Sequence, residues 1–355
     1  MSDYENGTPT TSTYQIVREQ LGQAQHRWVI TGVAGFIGSN LLQALLELGQ
    51  HVVGVDNFLT GYRHNLDQVR DLVGDKAWRH FELIEGDIRD LAVCRQACDH
   101  ADYVLHQAAL GSVTRSLTKP LLYNEINITG YLQVLDAARM AGVKRLIYAA
   151  SSATYGDHPG LPKQEQHIGA ALSPYALTKH VNELYAGVYA RCYGLETIGL
   201  RYFNVFGPRQ DALGAYAAVI PQWVRAMIEQ RPLVINGDGE TSRDFCYVAN
   251  VVQANLLAAL TGTSGAVNQV YNVALNTRTS LNNLYLLLHE LLVDRYPHLH
   301  DYQPSYGPFR AGDVQHSQAD ISKATELLGY APTHDLRRGL RQFLHWYERH
   351  LATHH

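Results

Sequence analysis

Two side chains in the run Ser173-Pro174-Tyr175-Ala176-Leu177-Thr178-Lys179 could do acid–base chemistry together. Pro174 suits the first position of a helix, which sets Tyr175 and Lys179 one turn apart on the same face. A free phenol titrates near pH 10, so using it as a base at neutral pH costs about 4 kcal/mol. A cation about 5 Å away recovers roughly 3 kcal/mol at an effective dielectric near 20. Lys179 is one such charge, and a cationic cofactor ring would be another. The pair could then take a proton from a substrate hydroxyl. Alone, a Tyr-x-x-x-Lys on a surface helix is common, so its meaning rests on its surroundings.

Those surroundings begin at Arg27-Trp28-Val29-Ile30-Thr31-Gly32-Val33-Ala34-Gly35-Phe36-Ile37-Gly38. A β-branched apolar run ends in a glycine-spaced turn, and an apolar-periodic helix opens at Phe36. Gly32 can take angles that a Cβ would forbid. Gly35 lets the main chain approach a ligand, and Gly38 lets helix and strand pack closely, so the helix start faces a pyrophosphate. The next strand, His51-Val52-Val53-Gly54-Val55, ends at Asp56. A carboxylate there suits both ribose hydroxyls of an adenosine and repels a 2′-phosphate, and no Arg follows directly. The expected cofactor is NAD, not NADP.

The remaining elements follow from alternation. Strands are expected at 28–31, 51–55, 80–84, 103–106, 145–150 and 197–202, with helices near 36–48, 65–73, 89–98, 122–141 and 174–193. This pattern implies an α/β fold, a doubly wound parallel sheet of Rossmann type covered on both faces. Residues 1–13 read as a disordered tail, and 14–23 as a short helix with Tyr14, Val17 and Leu21 on one side. After Pro208 the texture changes, with strands at 233–235 and 270–273 and helices near 219–230, 248–261, 280–293 and 335–349. The expected organisation is a tail and short helix over 1–26, a cofactor domain over 27–208 and a smaller α/β substrate-capping domain over 209–355. Residues 248–276 are expected to return to the first domain.

The bulk properties exclude several roles. Lys plus Arg number 29 against 33 for Asp plus Glu, with no basic block, which argues against nucleic acid or an anionic membrane as partner. Any anionic substrate must then be held by a few local cations. Cys94, Cys98, Cys192 and Cys246 lack a paired C-x-x-C spacing, so buried free thiols are expected and no metal site. No apolar run reaches transmembrane length and the first residues are not signal-like, so a cytoplasmic protein is expected.

In doubly wound sheets, ligands bind at the carboxyl ends of the strands. Three such ends are polar here: His106-Gln107-Ala108-Ala109-Leu110-Gly111-Ser112, Ser151-Ser152-Ala153-Thr154-Tyr155-Gly156 and Phe203-Asn204-Val205-Phe206-Gly207. His106, followed by small residues, is expected to orient backbone and not to catalyse.

Together these residues resemble the extended short-chain dehydrogenase/reductase family, and within it the nucleotide-sugar 4-epimerases, from Trp28 to about Tyr347. The shared pattern is Gly32/Gly35/Gly38, Asp56, Ser152 or its neighbour Ser151, and Tyr175/Lys179. The resemblance implies further cofactor contacts at Phe36, Ile37, Asn57, Phe58, Thr60, Gly61, Asp87, Ile88, Gln107, Ala108, Ala109, Asn127 and Tyr202. It implies a UDP-sugar substrate held by Gly111, Ser112, Asn204, Ala218, Val219, Gln222, Val234, Asn236, Arg243, Arg310, Asp313 and Ser317, besides Ser151, Ser152 and Tyr175. Guanidinium groups at Arg243 and Arg310 suit a diphosphate, and Asp313 suits ribose hydroxyls. In the implied mechanism Tyr175, held by Lys179 and Ser152, takes the 4′-hydroxyl proton while hydride passes to NAD and returns to the other face of a 4-keto sugar. NAD is then regenerated each cycle and should copurify.

Substitutions within the pattern narrow the resemblance. The 4,6-dehydratases carry Asp-Glu after the strand-five Ser/Thr, whereas Ala153-Thr154 follow Ser152 here. Glucose/galactose epimerases place a bulky residue where this chain has Ser317, and often a long side chain where it has Gly111. Small residues leave room for a 2-N-acetyl group. The resemblance therefore points to interconversion of UDP-N-acetylglucosamine and UDP-N-acetylgalactosamine, or of the matching uronic acids, a subgroup typical of bacterial O-antigen and capsule synthesis. The alternatives are a UDP-glucose/UDP-galactose epimerase, a dehydratase or decarboxylase, and a non-catalytic NAD sensor. The family also implies a homodimer that pairs the helices near 122–141 and 174–193 into a four-helix bundle.

Overall fold

A computed structural model describes residues 11–211, 218–309 and 314–352, with side chains to residue 349. The chain runs α1 (Thr13–Gln23), β1 (Arg27–Thr31), α2 (Phe36–Glu47), β2 (His51–Asp56), α3 (Arg63–Trp78), β3 (Phe81–Glu85), α4 (Leu91–Cys98) and β4 (Tyr103–His106). Next come α5 (Val113–Thr118), α6 (Pro120–Asn124), α7 (Tyr131–Met140), β5 (Arg145–Ser151), α8 (Pro174–Tyr193), β6 (Thr197–Tyr202) and β7 (Val205–Phe206). The remainder comprises α9 (Val219–Ile228), β8 (Val234–Asn236), β9 (Ser242–Arg243), β10 (Cys246–Tyr247), α10 (Val248–Leu260), β11 (Gln269–Val273), β12 (Thr279–Ser280), α11 (Leu281–Leu292), β13 (Ser305–Gly307), α12 (Ser322–Leu328) and α13 (Leu336–Ala352).

Seven strands form one parallel sheet in the order β3-β2-β1-β4-β5-β6-β11. Strand order reverses between β1 and β4, which opens a crevice at their carboxyl ends. The strands read as continuous apolar runs because both faces are covered. Trp28, Ile30, Leu42 and Leu45 lie in the core on one face, with Val29, Val104, Leu135 and Leu146 in that on the other. A third core, around Ile220, Trp223, Leu288 and Phe343, belongs to the C-terminal part of the chain. Residues 248–273 go back to the sheet: α10 packs on α2, β5 and β6, and β11 pairs with β6.

Departures from the expected elements have local causes. The helix expected over 122–141 is present as a continuous helical run from Pro120 to Met140, with α6 leading through a π-helical stretch (Glu125–Gly130) into α7. Helix α3 extends to Trp78 but is interrupted at Gly74, where φ is 77°. Strand β8 is the one expected at 233–235, whereas helices α5 and α12 and strands β7, β9, β10, β12 and β13 were not expected, being too short to carry a period. Val17 and Leu21 bury the inner side of α1 as expected. The tail expected over 1–13 lies mostly outside the described residues. Cys94, Cys98 and Cys246 are buried free thiols, whereas Cys192 is exposed. Among the described residues, no helix is long and apolar enough to cross a membrane, and no three His, Cys, Asp or Glu gather to hold a metal.

Candidate active site

The turn after β1 is built from main chain. A Cβ on Gly38 would lie 2.1 Å from the Gly32 carbonyl oxygen, and one on Gly32, at φ 71°, 2.8 Å from the Ala108 nitrogen. Gly35 is the N-cap of α2 and Phe36 and Ile37 its first turn, so unshared N–H groups face the crevice. Asp56, buried at the end of β2, accepts from the Ala34 N–H at 2.9 Å and the Phe58 N–H at 2.8 Å. Burial pushes its pKa up, opposed by those backbone bonds. Gly61 packs against it: a Cβ there would sit 2.9 Å from the carboxylate. Thr60 is exposed beside it.

Asn57 donates to Asp87 at 2.8 Å, and Arg89 also pairs with Asp87, holding that carboxyl down at about 2. Ile88 is buried against Gly130. At the end of β4, His106 meets the Thr31 hydroxyl at 2.9 Å, and that hydroxyl accepts from the Ala108 N–H at 3.3 Å. Burial, with the Lys179 charge behind it, pulls His106 down to about 3, so the ring is neutral and its part is to orient backbone. Asn127 sits in the π-helical stretch, bonds both the N–H and the carbonyl of Leu110, and donates to the Thr178 hydroxyl at 3.1 Å. The wide turn thus ties the β4 loop to α8 directly beside Lys179.

Helix α8 begins as its sequence requires, with Ser173 accepting from the Ala176 N–H at 3.1 Å and Pro174 at the first position. Lys179 is buried and its Nζ donates to the Ala149 carbonyl at 2.8 Å. Burial lowers its pKa to about 8. Of the two serines expected beside Tyr175, one is its partner. Its partner is Ser151, which ends β5, and not Ser152, which turns away at the start of a 3-10 helix (Ser152–Tyr155) toward the neighbouring cavity. Its pKa is also raised in the protein alone, because burial outweighs the Ser151 hydrogen bond. In the protein alone the phenol is therefore less acidic than a free one, and a bound cationic ring beside it would act in the opposite direction.

One polar cluster at the site was not anticipated. Tyr202 donates to Gln107 at 3.2 Å, Gln107 to Asn255 at 3.3 Å, and Asn255 back to Tyr202 at 2.9 Å. Asn255 is fully buried in α10, and an Asn in the middle of an apolar helix was the available signal.

Beside Ser152 lies a cavity of about 810 Å3 between the sheet's carboxyl end and the C-terminal part. Gly111, Ser112, Ser152, Asn204, Ala218, Val219, Gln222, Val234, Asn236, Arg243 and Ser317 all line it, whereas Ser151 and Tyr175 are not among its lining residues. The expected Arg310 and Asp313 lie outside the described residues. The glycine cradle and the Asp56 carboxylate fit a dinucleotide without a 2′-phosphate.

Residues 28–274 match the NAD dependent epimerase/dehydratase family. A solved UDP-N-acetylglucosamine 4-epimerase from Methanobrevibacter ruminantium, in complex with UDP-N-acetylmuramic acid, is 36% identical, with a TM-score of 0.84 over 92% of this chain and 99% of that one. A putative UDP-glucose 4-epimerase of Methanocaldococcus jannaschii is 35% identical over 90% of this chain and 97% of its own. The UDP-glucuronic acid 4-epimerase of Bacillus cereus, solved with UDP-glucuronic acid and NAD, is 30% identical, with a TM-score of 0.78 over 91% of this chain and 99% of that one. On this match, which spans most of the sequence and all of the sheet, the chain belongs to the NAD dependent epimerase/dehydratase family and is an NAD-dependent enzyme of its nucleotide-sugar epimerase branch.

Proposed function

We propose that the protein interconverts UDP-N-acetylglucosamine and UDP-N-acetylgalactosamine at C4′, or the matching uronic acids. Tightly bound NAD supplies the hydride acceptor and donor. Tyr175, steadied by Ser151, takes and returns the 4′-hydroxyl proton, and Lys179 sets the field around it. Arg243 at the cavity wall suits the diphosphate.

The observation that carries the N-acetyl assignment is the smallness of the wall at two positions. Ser317, held by its N–H to the Ser242 carbonyl at 3.0 Å, lines the cavity, and a Cβ on Gly111 would meet nothing within 4 Å. That space accepts a 2-acetamido group, for which a bulky residue at either place would leave no room. Incubation with UDP-N-acetylglucosamine and no added cofactor, followed by separation of the C4 epimers, tests the reading. A strong preference for UDP-glucose in the same assay would overturn it.

The reading includes a homodimer built on α7 and α8. Leu177, Leu184 and Val188 are exposed at spacings that put them on one side of α8, and Met140 is exposed at the end of α7. A solution mass twice that of the chain is expected.

A further inference from the structure

The cavity wall carries two charged side chains among its described residues, Arg243 and Lys163, and no acid. The lysine is unexpected there. It is 4% exposed, it has no carboxylate partner among the described residues, and its ammonium donates to the backbone carbonyl of His158. Burial lowers its pKa, as expected of a cation that has lost water without gaining an anion. A carbonyl needs one donor and an ammonium has three.

The position of Lys163 is fixed from several sides. Its N–H donates to the Gln318 carbonyl at 2.7 Å, and its own carbonyl accepts from the Asp320 N–H and the Asn272 amide, both at 2.9 Å. Tyr155 in turn donates to Asn272 at 2.6 Å, and the buried Arg201–Glu183 pair holds the Glu165 carbonyl at 3.0 Å. Such a clamp fixes the main chain at Lys163, and the residue lines the cavity from there.

Its place along the wall follows from register. Residues 316–319 bridge Ser242 at His316 and Lys163 at Ala319. Three residues of extended chain span about 10 Å, so Lys163 enters about that far beyond Ser242 and its neighbour Arg243. Ser317 lies between them. On the far side, Lys163 shares the wall with Tyr155 and Gly156, which follow Ser151 and Ser152. With a diphosphate at Arg243, the lysine falls at the sugar end.

We infer that Lys163 is a specificity-determining residue that pairs with a carboxylate on the sugar of a UDP-sugar, so that acidic sugars are preferred ligands of this cavity. The inference rests on the proposed UDP-sugar site and deepens it. The carboxylate could be a uronate at C6 or an ether-linked acid at C3, and the two sources are separable by ligand.

The test is equilibrium binding by titration calorimetry on the NAD-bound protein and on Lys163→Gln and Lys163→Met. Gln keeps a donor for the His158 carbonyl and removes only the charge. The ligands are UDP-N-acetylglucosamine, its uronate, and UDP-N-acetylmuramate. Lys163→Gln is expected to weaken at least one acidic ligand by at least tenfold more than the neutral one, and the ligand so affected identifies the carboxylate position. Lys163→Met should repeat the pattern. Equal weakening of all three ligands, or of none, would overturn the assignment. If the wild-type protein binds these ligands but leaves C4′ unchanged, the epimerase reading fails and Lys163 keeps its role; if it binds none of them, both fail.

Discussion

Lys179→Met separates the stability of the site from its chemistry. The lysine is 2% exposed and bonded to a single carbonyl, that of Ala149. Its drop from 10.5 to about 8 corresponds to about 3 kcal/mol against the folded, charged form at ~1.4 kcal/mol per pH unit. Because the folded-state pKa lies below the unfolded one, between about pH 8 and 10.5 the unfolded chain keeps a proton that the folded chain has released. Stability contributed by this group therefore rises with pH across that window. Methionine removes the titration and leaves the Ala149 carbonyl unpaired, a loss of about 1–3 kcal/mol. At neutral pH the two effects nearly cancel, so the variant should match the wild type or exceed it by roughly 1 kcal/mol while losing activity. From pH 7 to pH 10 the wild type should gain about 2.5 kcal/mol relative to the variant. Urea unfolding of nucleotide-free protein at several pH values measures this, and taking the difference cancels every group the two proteins share. A wild-type-minus-variant stability that stays flat over that range would refute the reasoning, because the ammonium would then be no worse solvated in the fold than in water.

Two further outcomes follow from the same geometry. Tyr175→Phe removes the proton acceptor and keeps the ring, so turnover should fall by about 10²–10⁴ with UDP-sugar affinity retained; turnover within threefold of wild type would place the base elsewhere. Gly38→Ala puts a methyl 2.1 Å from the Gly32 oxygen, against backbone that cannot yield. It should destabilise by about 1–3 kcal/mol and strip the protein of copurifying NAD, as measured by nucleotide released on denaturation; full NAD occupancy would show that the turn tolerates a side chain.

Much of the cofactor half was legible because its signals are local. Gly32, Gly35 and Gly38 sit within one turn, Asp56 ends the next strand, and Tyr175 and Lys179 share one helical turn, so spacing alone brings each set together. The residues that escaped reading act across long sequence distances. Asn255 reaches Tyr202 and Gln107 because α10 crosses back over the sheet, a return that was expected, but the partners it meets there are 53 and 148 residues away in sequence. The choice between Ser151 and Ser152 turns on where β5 stops. Ser151 still pairs with Tyr202 in the sheet, while Ser152 has already turned into the 3-10 helix. The π-helical stretch inside the helix expected over 122–141 was hidden because it alters the period by one residue without altering composition.

The sugar-facing wall depends on the same sheet that frames the cofactor. Asn272 lies in β11, paired in register with Arg201 of β6, and from there it bonds the carbonyls of Lys163 and Asp320. Asp244, fully buried between β9 and β10, accepts from the N–H groups of Leu275 and Ala319 and is pushed up to about 6 by burial. These two side chains hold Ala319 and Asp320, the residues that follow Ser317 and bridge to Lys163, and Asn272 holds the Lys163 carbonyl as well. The wall at Ser317 and Lys163 is thus held by hydrogen bonds between buried groups and the main chain. On the proposed UDP-sugar reading, a wall held so firmly would select by the size of Ser317 and the charge of Lys163, because moving the wall to fit a sugar of the wrong shape would break those bonds.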